Sequence, residues 1–347
     1  MIQIRAKVIS ENSPVFIIAE AGVNHNGSLE TAKKLVDAAA EAGADAVKFQ
    51  TFKANQLVTA SAEKANYQKE ATGANESQYE MLKRLELDPR QHLEIINHCK
   101  TRSIIFLSTP FDFESVDLLE KFDIPAYKIS SGDITNLPFL EYIARKNKPI
   151  ILSTGMASIG EVEEAVATIQ NTGNSQIVLL HCTSNYPTQY QDVNLRAMLT
   201  LKHVFQLPVG YSDHTLGIEI PTAAVALGAC VIEKHFTLDR NLPGPDHRAS
   251  LEPEQLKAMV SAIRNVEKAL GDGVKRCQAA EANVKEAARK SIVAVRDLAK
   301  GEVLTRNALG FKRPGTGLPP KLVDFLLGKK IKRDILKDEV IELGDIE

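Results

Sequence analysis

The chain has 347 residues, of which 44% are hydrophobic and 25% are charged, a composition typical of a folded globular protein and unlike that of disordered or fibrous chains. Its 42 basic and 44 acidic residues give a formal net charge of −2, which argues against nucleic acid or an anionic membrane surface as a partner. Four cysteines without a CxxC pair encode neither a disulfide framework nor a zinc knuckle. The first apolar run, 15–19, is too short to span a bilayer, so we expect a cytoplasmic protein.

Short apolar runs alternate with amphipathic stretches of helical period, the pattern of a parallel α/β fold. The predicted strands are 15–20, 46–49, 104–108, 126–129, 149–152, 177–181, 209–212 and 230–234. The predicted helices are 29–41, 90–101, 114–122, 138–146, 160–171, 195–204, 218–227 and 253–270. Eight such repeats within the first 272 residues predict a (β/α)8 TIM barrel rather than a doubly wound sheet.

An insertion interrupts this spacing between the second strand and its helix. Residues 50–88 are polar and form a connection too long for an ordinary βα loop. The insertion leaves the carboxyl end of a strand, where barrel enzymes place their chemistry, so we expect a loop that covers the substrate.

The pattern changes after the barrel, which we assign to 1–272. A polar linker, 273–288, precedes a small, mostly β domain over 289–347. This last segment holds 13 basic and 9 acidic residues, a balance that suits a lid over an anionic site.

Polar side chains follow every predicted strand of the barrel. In chain order they are Glu20, Lys48, Gln50, Thr109, Lys128, Ser131, Asp133, Ser153, Ser184, Tyr186, Ser212, His214 and His235. Because the carboxyl ends of barrel strands meet at one face, we expect these groups to line a single pocket. Two ammonium groups surrounded by hydroxyls suit an oxyanion, most simply a phosphate with a neighbouring carboxylate.

His214 and His235 follow adjacent strands, so their imidazoles can converge although 20 residues separate them. Imidazole combined with oxygen donors suits a divalent ion such as Mn²⁺ and leaves zinc, iron and cobalt open. The sequence therefore predicts a metal centre at these two histidines.

Seven ordered motifs give the chain a resemblance to the bacterial sialic acid synthases over essentially its whole length. They are AEAGVNHNG (19–27), VKFQT (47–51), STPF (108–111), STGM (153–156), YSDHT (211–215), EKHF (233–236) and GPDH (244–247). The stretch KRPG (312–315) is similar to the antifreeze-like (SAF) domain of that family.

The resemblance implies an enzyme, N-acetylneuraminate synthase, that condenses phosphoenolpyruvate with N-acetylmannosamine or a similar N-acylated sugar. It implies a divalent metal at His214 and His235, usually Mn²⁺ with Mg²⁺ or Co²⁺ as alternatives, and Glu20 as the acid–base carboxylate. The implied phosphoenolpyruvate contacts are Lys48, Thr109, Lys128, Ser131, Ser153 and Ser212. The implied sugar contacts are Gln50, Tyr186 and Asp246, with Arg313 reaching the N-acyl group in the barrel of the other subunit of a domain-swapped homodimer.

Two positions depart from the family pattern. Asp133 stands where some members have Glu, and Ser184 stands where some have Asn; the resemblance implies that both contact substrate.

Three alternatives stay open at this point. The motifs also resemble those of legionaminic acid synthases, which use a 2,4-diacetamido-2,4,6-trideoxymannose. A non-catalytic sugar-binding protein would not need Glu20 together with both histidines, and a metal-dependent aldolase that uses pyruvate would release no phosphate.

Overall fold

A computed structural model describes residues 1–73 and 75–347 of the chain, which fall into a unit of Met1–Gly271 and a unit of Asp272–Glu347. Eight parallel strands of the first unit form one sheet that curls into a barrel. They are β3 (Phe16–Gly22), β4 (Ala46–Thr51), β5 (Ile105–Pro110), β6 (Tyr127–Ile129), β7 (Ile150–Ser153), β8 (Ile177–His181), β9 (Val209–Asp213) and β10 (Val231–His235). Ladders join them in the order β5-β4-β3-β10-β9-β8-β7-β6, and β5 and β6 lie side by side to close the ring. The predicted (β/α)8 barrel is confirmed.

Helices cover the outside of the barrel. They are α1 (Leu29–Ala42), α5 (Pro89–Thr101), α6 (Phe113–Lys121), α7 (Leu137–Ala144), α8 (Ile159–Asn171), α9 (Arg196–Phe205), α10 (Glu219–Ala226) and α11 (Pro253–Leu270). The Ser28, Asp88 and Ser158 side chains accept hydrogen bonds from backbone N–H groups in the first turns of α1, α5 and α8, and this fixes where these helices begin. Their apolar faces pack on the outward side chains of the strands to form the main core.

A hairpin that the sequence analysis did not predict precedes the barrel. Strands β1 (Ile2–Ile4) and β2 (Lys7–Ile9) pair antiparallel. Their buried isoleucines pack against inward side chains at the amino ends of the barrel strands, such as Phe16 and Val231. The hairpin thus covers the amino end of the barrel with apolar groups and leaves the carboxyl end for polar chemistry.

The insertion was predicted as a loop, and this prediction was wrong in its local structure. Apart from position 74, which lies outside the described residues, it contains the short helices α2 (Ala54–Leu57), α3 (Asn66–Thr72) and α4 (Gln78–Leu85). Ser77 and Glu80 form a capping box that starts α4. Met81 and Leu85 of α4 pack in a separate small core with Val23 and Phe52, which holds the insertion on the carboxyl end of the barrel.

The second unit is small and irregular. Strands β11 (Ser291–Ala294) and β12 (Leu309–Lys312) pair antiparallel, and isolated bridges extend the β structure. Helix α12 (Ala282–Ala288) lies within the predicted linker, and α13 (Val323–Leu326) is a single turn. Buried residues such as Ile292, Leu304 and Ile335 give this unit its own core. Within the described part of the chain, no helix is long and apolar enough to cross a membrane.

Candidate active site

A cavity of about 460 Å³ opens at the carboxyl end of the barrel, and every barrel strand or the loop after it contributes to its lining. Twelve of the predicted site residues line it together. They are Glu20, Lys48, Gln50, Thr109, Lys128, Ser131, Ser153, Ser184, Tyr186, Ser212, His214 and His235. The structure therefore brings into one pocket most of the groups that the strand ends predicted.

Two lysines and two carboxylates form a buried network at the bottom of this cavity. Lys48 Nζ lies 3.2 Å from Glu20 Oε2 and 3.0 Å from Glu233 Oε2, and it donates to Thr109 Oγ1 at 3.1 Å. Lys128 Nζ lies 3.5 Å from Glu233 Oε1 and donates to Ser153 Oγ at 2.8 Å. Two ammonium groups that share the Glu233 carboxylate, with hydroxyls beside them, make a cationic floor for an oxyanion.

Burial and neighbouring charges shift the pKa values of the two carboxyl groups in opposite directions. Burial raises the pKa of Glu20 well above its usual value, although the ammonium of Lys48 opposes that rise. Burial also acts to raise the pKa of Glu233, but the ammonium groups of Lys128 and Lys48 outweigh it and hold that pKa below its usual value. Burial lowers the pKa of Lys128, against the pull of Glu233. Glu20 can therefore exchange a proton near neutral pH, while Glu233 stays ionised.

Strand alternation explains which side chains of β9 and β10 enter the cavity. Ser212 and Glu233 point inward and hydrogen-bond at 2.9 Å, whereas the next residues, Asp213 and Lys234, point outward. Lys234 Nζ lies 2.5 Å from Asp213 Oδ2, and both side chains are fully buried between the strands and the helices. This outward ion pair fixes the ends of both strands behind the inward groups.

Gly155 allows three polar side chains to approach each other at one wall. Its backbone N–H donates to Ser131 Oγ at 2.9 Å, and Ser131 Oγ lies 3.2 Å from Cys182 Sγ. A Cβ at Gly155 would lie 2.4 Å from Ser184 Oγ and 2.8 Å from Ser131 Oγ, so a larger residue would displace them. Glycine here is required by close approach.

The two histidines meet as predicted, with ring centroids 5.6 Å apart. His214 Nδ1 donates to the carbonyl of Thr183 at 2.7 Å, which leaves the lone pair of its Nε2 free for a ligand. His235 Nδ1 is buried and has no hydrogen-bond partner in the described structure. Burial lowers the pKa of both imidazoles, so both are neutral, the form that binds a metal.

These donors fit a divalent ion that keeps open coordination positions. Among the described residues, no group of three or more His, Cys, Asp and Glu side chains is arranged to hold a metal. An ion at His214 and His235 would have two imidazole ligands from the protein and take the rest from water or substrate oxygens, as catalytic sites do. Buried polar atoms normally have a hydrogen-bond partner, and the unpartnered His235 Nδ1 therefore fits a site that binds a ligand at this imidazole.

Aromatic side chains cover the histidines. The Tyr186 ring lies 4.2 Å from the His214 ring and 5.1 Å from the Tyr67 ring, centroid to centroid. Tyr67 belongs to α3 of the insertion, and Gln68 and Gln78 of the same insertion also line the cavity. The expectation that the insertion covers the pocket thus has a structural counterpart in these side chains.

Ten further residues line the cavity that were not among the predicted site residues. They are Ala65, Tyr67, Gln68, Gln78, Phe111, Ser130, Gly132, Met156, Cys182 and Glu233. Glu233 carried a usable signal, because it lies two residues before His235 on a strand whose inward positions alternate. The insertion residues carried none, since their placement depends on how α3 and α4 pack.

Three predicted residues lie outside the cavity lining. Asp246 is buried close to the lining residues Tyr67 and Tyr186, and burial raises its pKa to about 6. Asp133 lies in a single turn after β6 and accepts a hydrogen bond from Asn136 at 3.4 Å. Arg313 is exposed on the second unit, directly after β12.

Comparison with known proteins places these features in a family. The NeuB family model matches residues 35–275, and the SAF domain model matches residues 289–347. N,N'-diacetyllegionaminic acid synthase from Campylobacter jejuni subsp. jejuni serotype O:2 is 53% identical over 327 residues, which cover 94% of this chain and 98% of that protein. The synthase of the same name from Legionella pneumophila subsp. pneumophila is 51% identical over 324 residues, which cover 92% of this chain and 91% of that protein.

A solved structure is also similar. The crystal structure of N-acetylneuraminic acid (sialic acid) synthetase from Leptospira borgpetersenii serovar Hardjo-bovis, in complex with citrate, superposes with a TM-score of 0.72. That protein is 39% identical, and the match covers 82% of this chain and 94% of that chain.

Proposed function

This chain belongs to the NeuB family, and we propose that it condenses phosphoenolpyruvate with an N-acylated mannosamine-type sugar to give a nine-carbon 2-keto acid and inorganic phosphate. One observation carries the proposal: a cationic floor built on Lys48 and Lys128 lies in the same cavity as the facing imidazoles of His214 and His235. The two lysines suit an enol phosphate, and the two histidines would hold a divalent ion that polarises the sugar aldehyde, so the cavity has a place for each reactant.

Phosphoenolpyruvate brings a phosphate and a carboxylate, and the cavity offers matching donors. The ammonium of Lys48 and the hydroxyl of Thr109 form one group, and the ammonium of Lys128 with the hydroxyl of Ser153 forms the other. We assign the two anionic groups of the substrate to these donors, with Ser131 and Ser212 as further hydroxyls. A fixed position for both reactants lowers the barrier by up to about 7 to 11 kcal/mol.

A divalent ion held by His214 and His235 would supply Lewis-acid polarisation of the sugar aldehyde. The protein groups around it orient the sugar. We assign Gln50 and Tyr186 to this contact, because both line the cavity on the side of the insertion. Mn²⁺ is the proposed ion, with Mg²⁺ or Co²⁺ as alternatives.

The proposed reaction has two bond-forming steps. The C3 carbon of phosphoenolpyruvate attacks the aldehyde carbon of the open-chain sugar, and the resulting alkoxide takes a proton. Water then adds to C2, loses a proton, and the bond between C2 and the bridging oxygen breaks to release phosphate. Glu20 is the group we assign to proton transfer, because burial raises its pKa so that it can hold or accept a proton near neutral pH.

For the sugar we favour 2,4-diacetamido-2,4,6-trideoxymannose over N-acetylmannosamine. The support is the identity of 53% and 51% to two synthases named for N,N'-diacetyllegionaminic acid, against 39% to the synthetase named for N-acetylneuraminic acid. N-acetylmannosamine, the substrate that the sequence analysis expected first, is the second candidate. The two sugars differ at C4, where an acetamido group replaces a hydroxyl, and at C6, which lacks its hydroxyl. The difference at C6 alone alters selectivity by about 1 to 3 kcal/mol where no buried polar partner is left unpaired.

Phosphate release tests the proposal. The purified full chain is incubated with phosphoenolpyruvate, Mn²⁺ and either sugar, and inorganic phosphate and the keto acid are measured. We expect phosphate only when sugar and metal are both present, with the higher kcat/KM for the diacetamido sugar. Sugar binding without phosphate release would favour a non-catalytic binding protein. Condensation of pyruvate itself, without phosphate, would favour an aldolase.

A further inference from the structure

Two motifs that the chemistry above leaves largely unused meet beside the cavity. One is Asn24-His25-Asn26-Gly27, in the loop after β3, and the other is Gly244-Pro245-Asp246-His247, in the loop after β10. Asn24 Nδ2 donates to the carbonyl of Phe236 at 2.8 Å and to Ser250 Oγ at 3.0 Å. Ser250 Oγ in turn donates to the Asp246 carbonyl at 2.7 Å. Asn24 of the first motif therefore holds the backbone of Asp246 through the hydroxyl of Ser250.

His247 joins the same two loops on the other side of Asp246. Its Nε2 lies 3.3 Å from Asn26 Oδ1, across 221 residues of sequence, and its Nδ1 lies 2.7 Å from Thr237 Oγ1. Burial lowers the pKa of His247 to about 4, so a neutral imidazole donates from Nε2 to Asn26 Oδ1, which leaves Nδ1 as an acceptor facing the Thr237 hydroxyl. The imidazole therefore links three segments of chain.

Gly244 leaves the space that the contact between His247 and Asn26 requires. A Cβ at this position would lie 2.6 Å from a ring carbon of His247 and 2.9 Å from Asn26 Oδ1, and the residue has φ +153°. Any side chain here would push the His247 ring away from Asn26.

The carboxylate of Asp246 depends on this arrangement for its position. Within the described residues no hydrogen-bond donor reaches it, and burial is the sole cause of its raised pKa. Burial is the main cause of the raised pKa of the Tyr67 and Tyr186 phenols, and the charge of Asp246 adds to it in both, which places Asp246 at the aromatic side of the cavity. Because no side-chain hydrogen bond in the described part of the chain holds this carboxylate, its place depends on the backbone of Asp246, and the loop contacts fix that backbone.

We propose that Asn26 and His247 are positioning residues that hold the Asp246 carboxylate in place to accept a hydrogen bond from the sugar substrate. This inference rests on the proposed function, since it takes the sugar as the ligand of Asp246. Neither residue lines the cavity. A displacement of about 1 Å at a group that contacts substrate can lower the rate about a hundredfold. The contacts of Asn26 and His247 can therefore affect the rate although they lie away from the reacting atoms.

Matched variants of Asn26 and His247 test whether the position of the Asp246 carboxylate, and not only its presence, matters for sugar use. Asn26 has φ +52°, which glycine and aspartate tolerate, so Asn26→Gly removes the acceptor without backbone strain and Asn26→Asp keeps it. His247→Leu removes both ring nitrogens, whereas His247→Gln keeps a donor toward Asn26. We expect Asn26→Gly and His247→Leu to lower kcat/KM for the sugar about ten- to a hundredfold, with the KM for phosphoenolpyruvate within about twofold of the parent value. Asn26→Asp and His247→Gln should recover most of the loss.

The same variants in an Asp246→Asn background give the decisive readout. If Asn26 acts through Asp246, Asn26→Gly costs little once the carboxylate is gone, and the two effects are not additive. Thermal melting of each variant identifies a folding failure, and the Asn26→Gly and Asn26→Asp pair remains informative if His247→Leu does not fold. Additive losses, or equal losses for both substrates, would overturn the inference. Parent enzyme that releases no phosphate with either sugar would instead refute the proposed function.

Discussion

Glu233 is the carboxylate that forms ion pairs with both Lys48 and Lys128. The substitution Glu233→Gln removes its negative charge with little change in the shape of the side chain. The charge that disappears lies 3.0 Å from Lys48 Nζ and 3.5 Å from Lys128 Nζ, and all three side chains are at most 5% exposed. Removal of one partner of a buried ion pair costs about 3 to 5 kcal/mol. Glu20 still lies 3.2 Å from Lys48, and the glutamine can still hydrogen-bond Ser212, so we expect the lower end, about 3 kcal/mol.

Thermal melting with and without phosphoenolpyruvate measures this effect. A loss of about 3 kcal/mol corresponds to a fall in Tm of about 6 °C for a barrel of this size. Phosphoenolpyruvate brings anionic groups to the same ammonium groups. A ligand that binds only the folded state stabilises it, so saturating phosphoenolpyruvate should raise the Tm of Glu233→Gln by more than it raises the Tm of the parent.

Asp213→Asn is the matched control. It breaks the outward ion pair with Lys234, which is equally buried but faces the helices. It should lower Tm by a similar amount, and phosphoenolpyruvate should raise its Tm no more than it raises that of the parent. A Glu233→Gln protein that melts at the parent Tm, or gains no extra Tm from phosphoenolpyruvate, would refute the assignment of the lysines to the anionic groups.

Further predictions concern the metal, the second unit and pH. His214→Ala and His235→Ala should each abolish metal-dependent phosphate release and leave the far-UV circular dichroism unchanged; full turnover by either variant after chelator treatment would exclude the metal role. Arg313→Ala should weaken sugar use by about 1.5 to 3 kcal/mol and spare phosphoenolpyruvate use, which separate kcat/KM values for each substrate will check. The pKa of Asp246, raised to about 6, predicts that kcat/KM for the sugar falls as pH drops through about 6, because the protonated carboxyl loses its charge as an acceptor. Asp246→Asn should remove that step from the pH profile.

Much of the barrel could be predicted from the sequence because its signals are local. Each of the eight predicted barrel strands and eight outer helices lies within two residues of its observed bounds. Buried parallel strands are short apolar runs, and side chains such as Ser28 and Asp88 mark where helices begin. The hairpin of β1 and β2 was missed because three-residue strands with mixed polarity carry little periodicity.

The site could be predicted in part, for the same reason. A polar residue at the end of an apolar run is a local signal, and it identified Lys48, Lys128 and both histidines. Glu233 required the further step of tracing inward and outward positions along β10. The contact between Asn26 and His247 could not be predicted, because it depends on how two loops meet after the barrel closes.

Isotopic labelling of the bridging oxygen of phosphoenolpyruvate most directly tests the claim that the enzyme condenses phosphoenolpyruvate with the sugar and releases phosphate. The parent enzyme is supplied with Mn²⁺, 2,4-diacetamido-2,4,6-trideoxymannose and phosphoenolpyruvate that carries ¹⁸O between C2 and phosphorus. Mass spectrometry then follows the label in both products. Carbon–carbon condensation with cleavage of the C2–O bond predicts that the ¹⁸O leaves with phosphate, and only when the sugar is present. Label retained in the keto acid, or labelled phosphate released without sugar, would contradict the account.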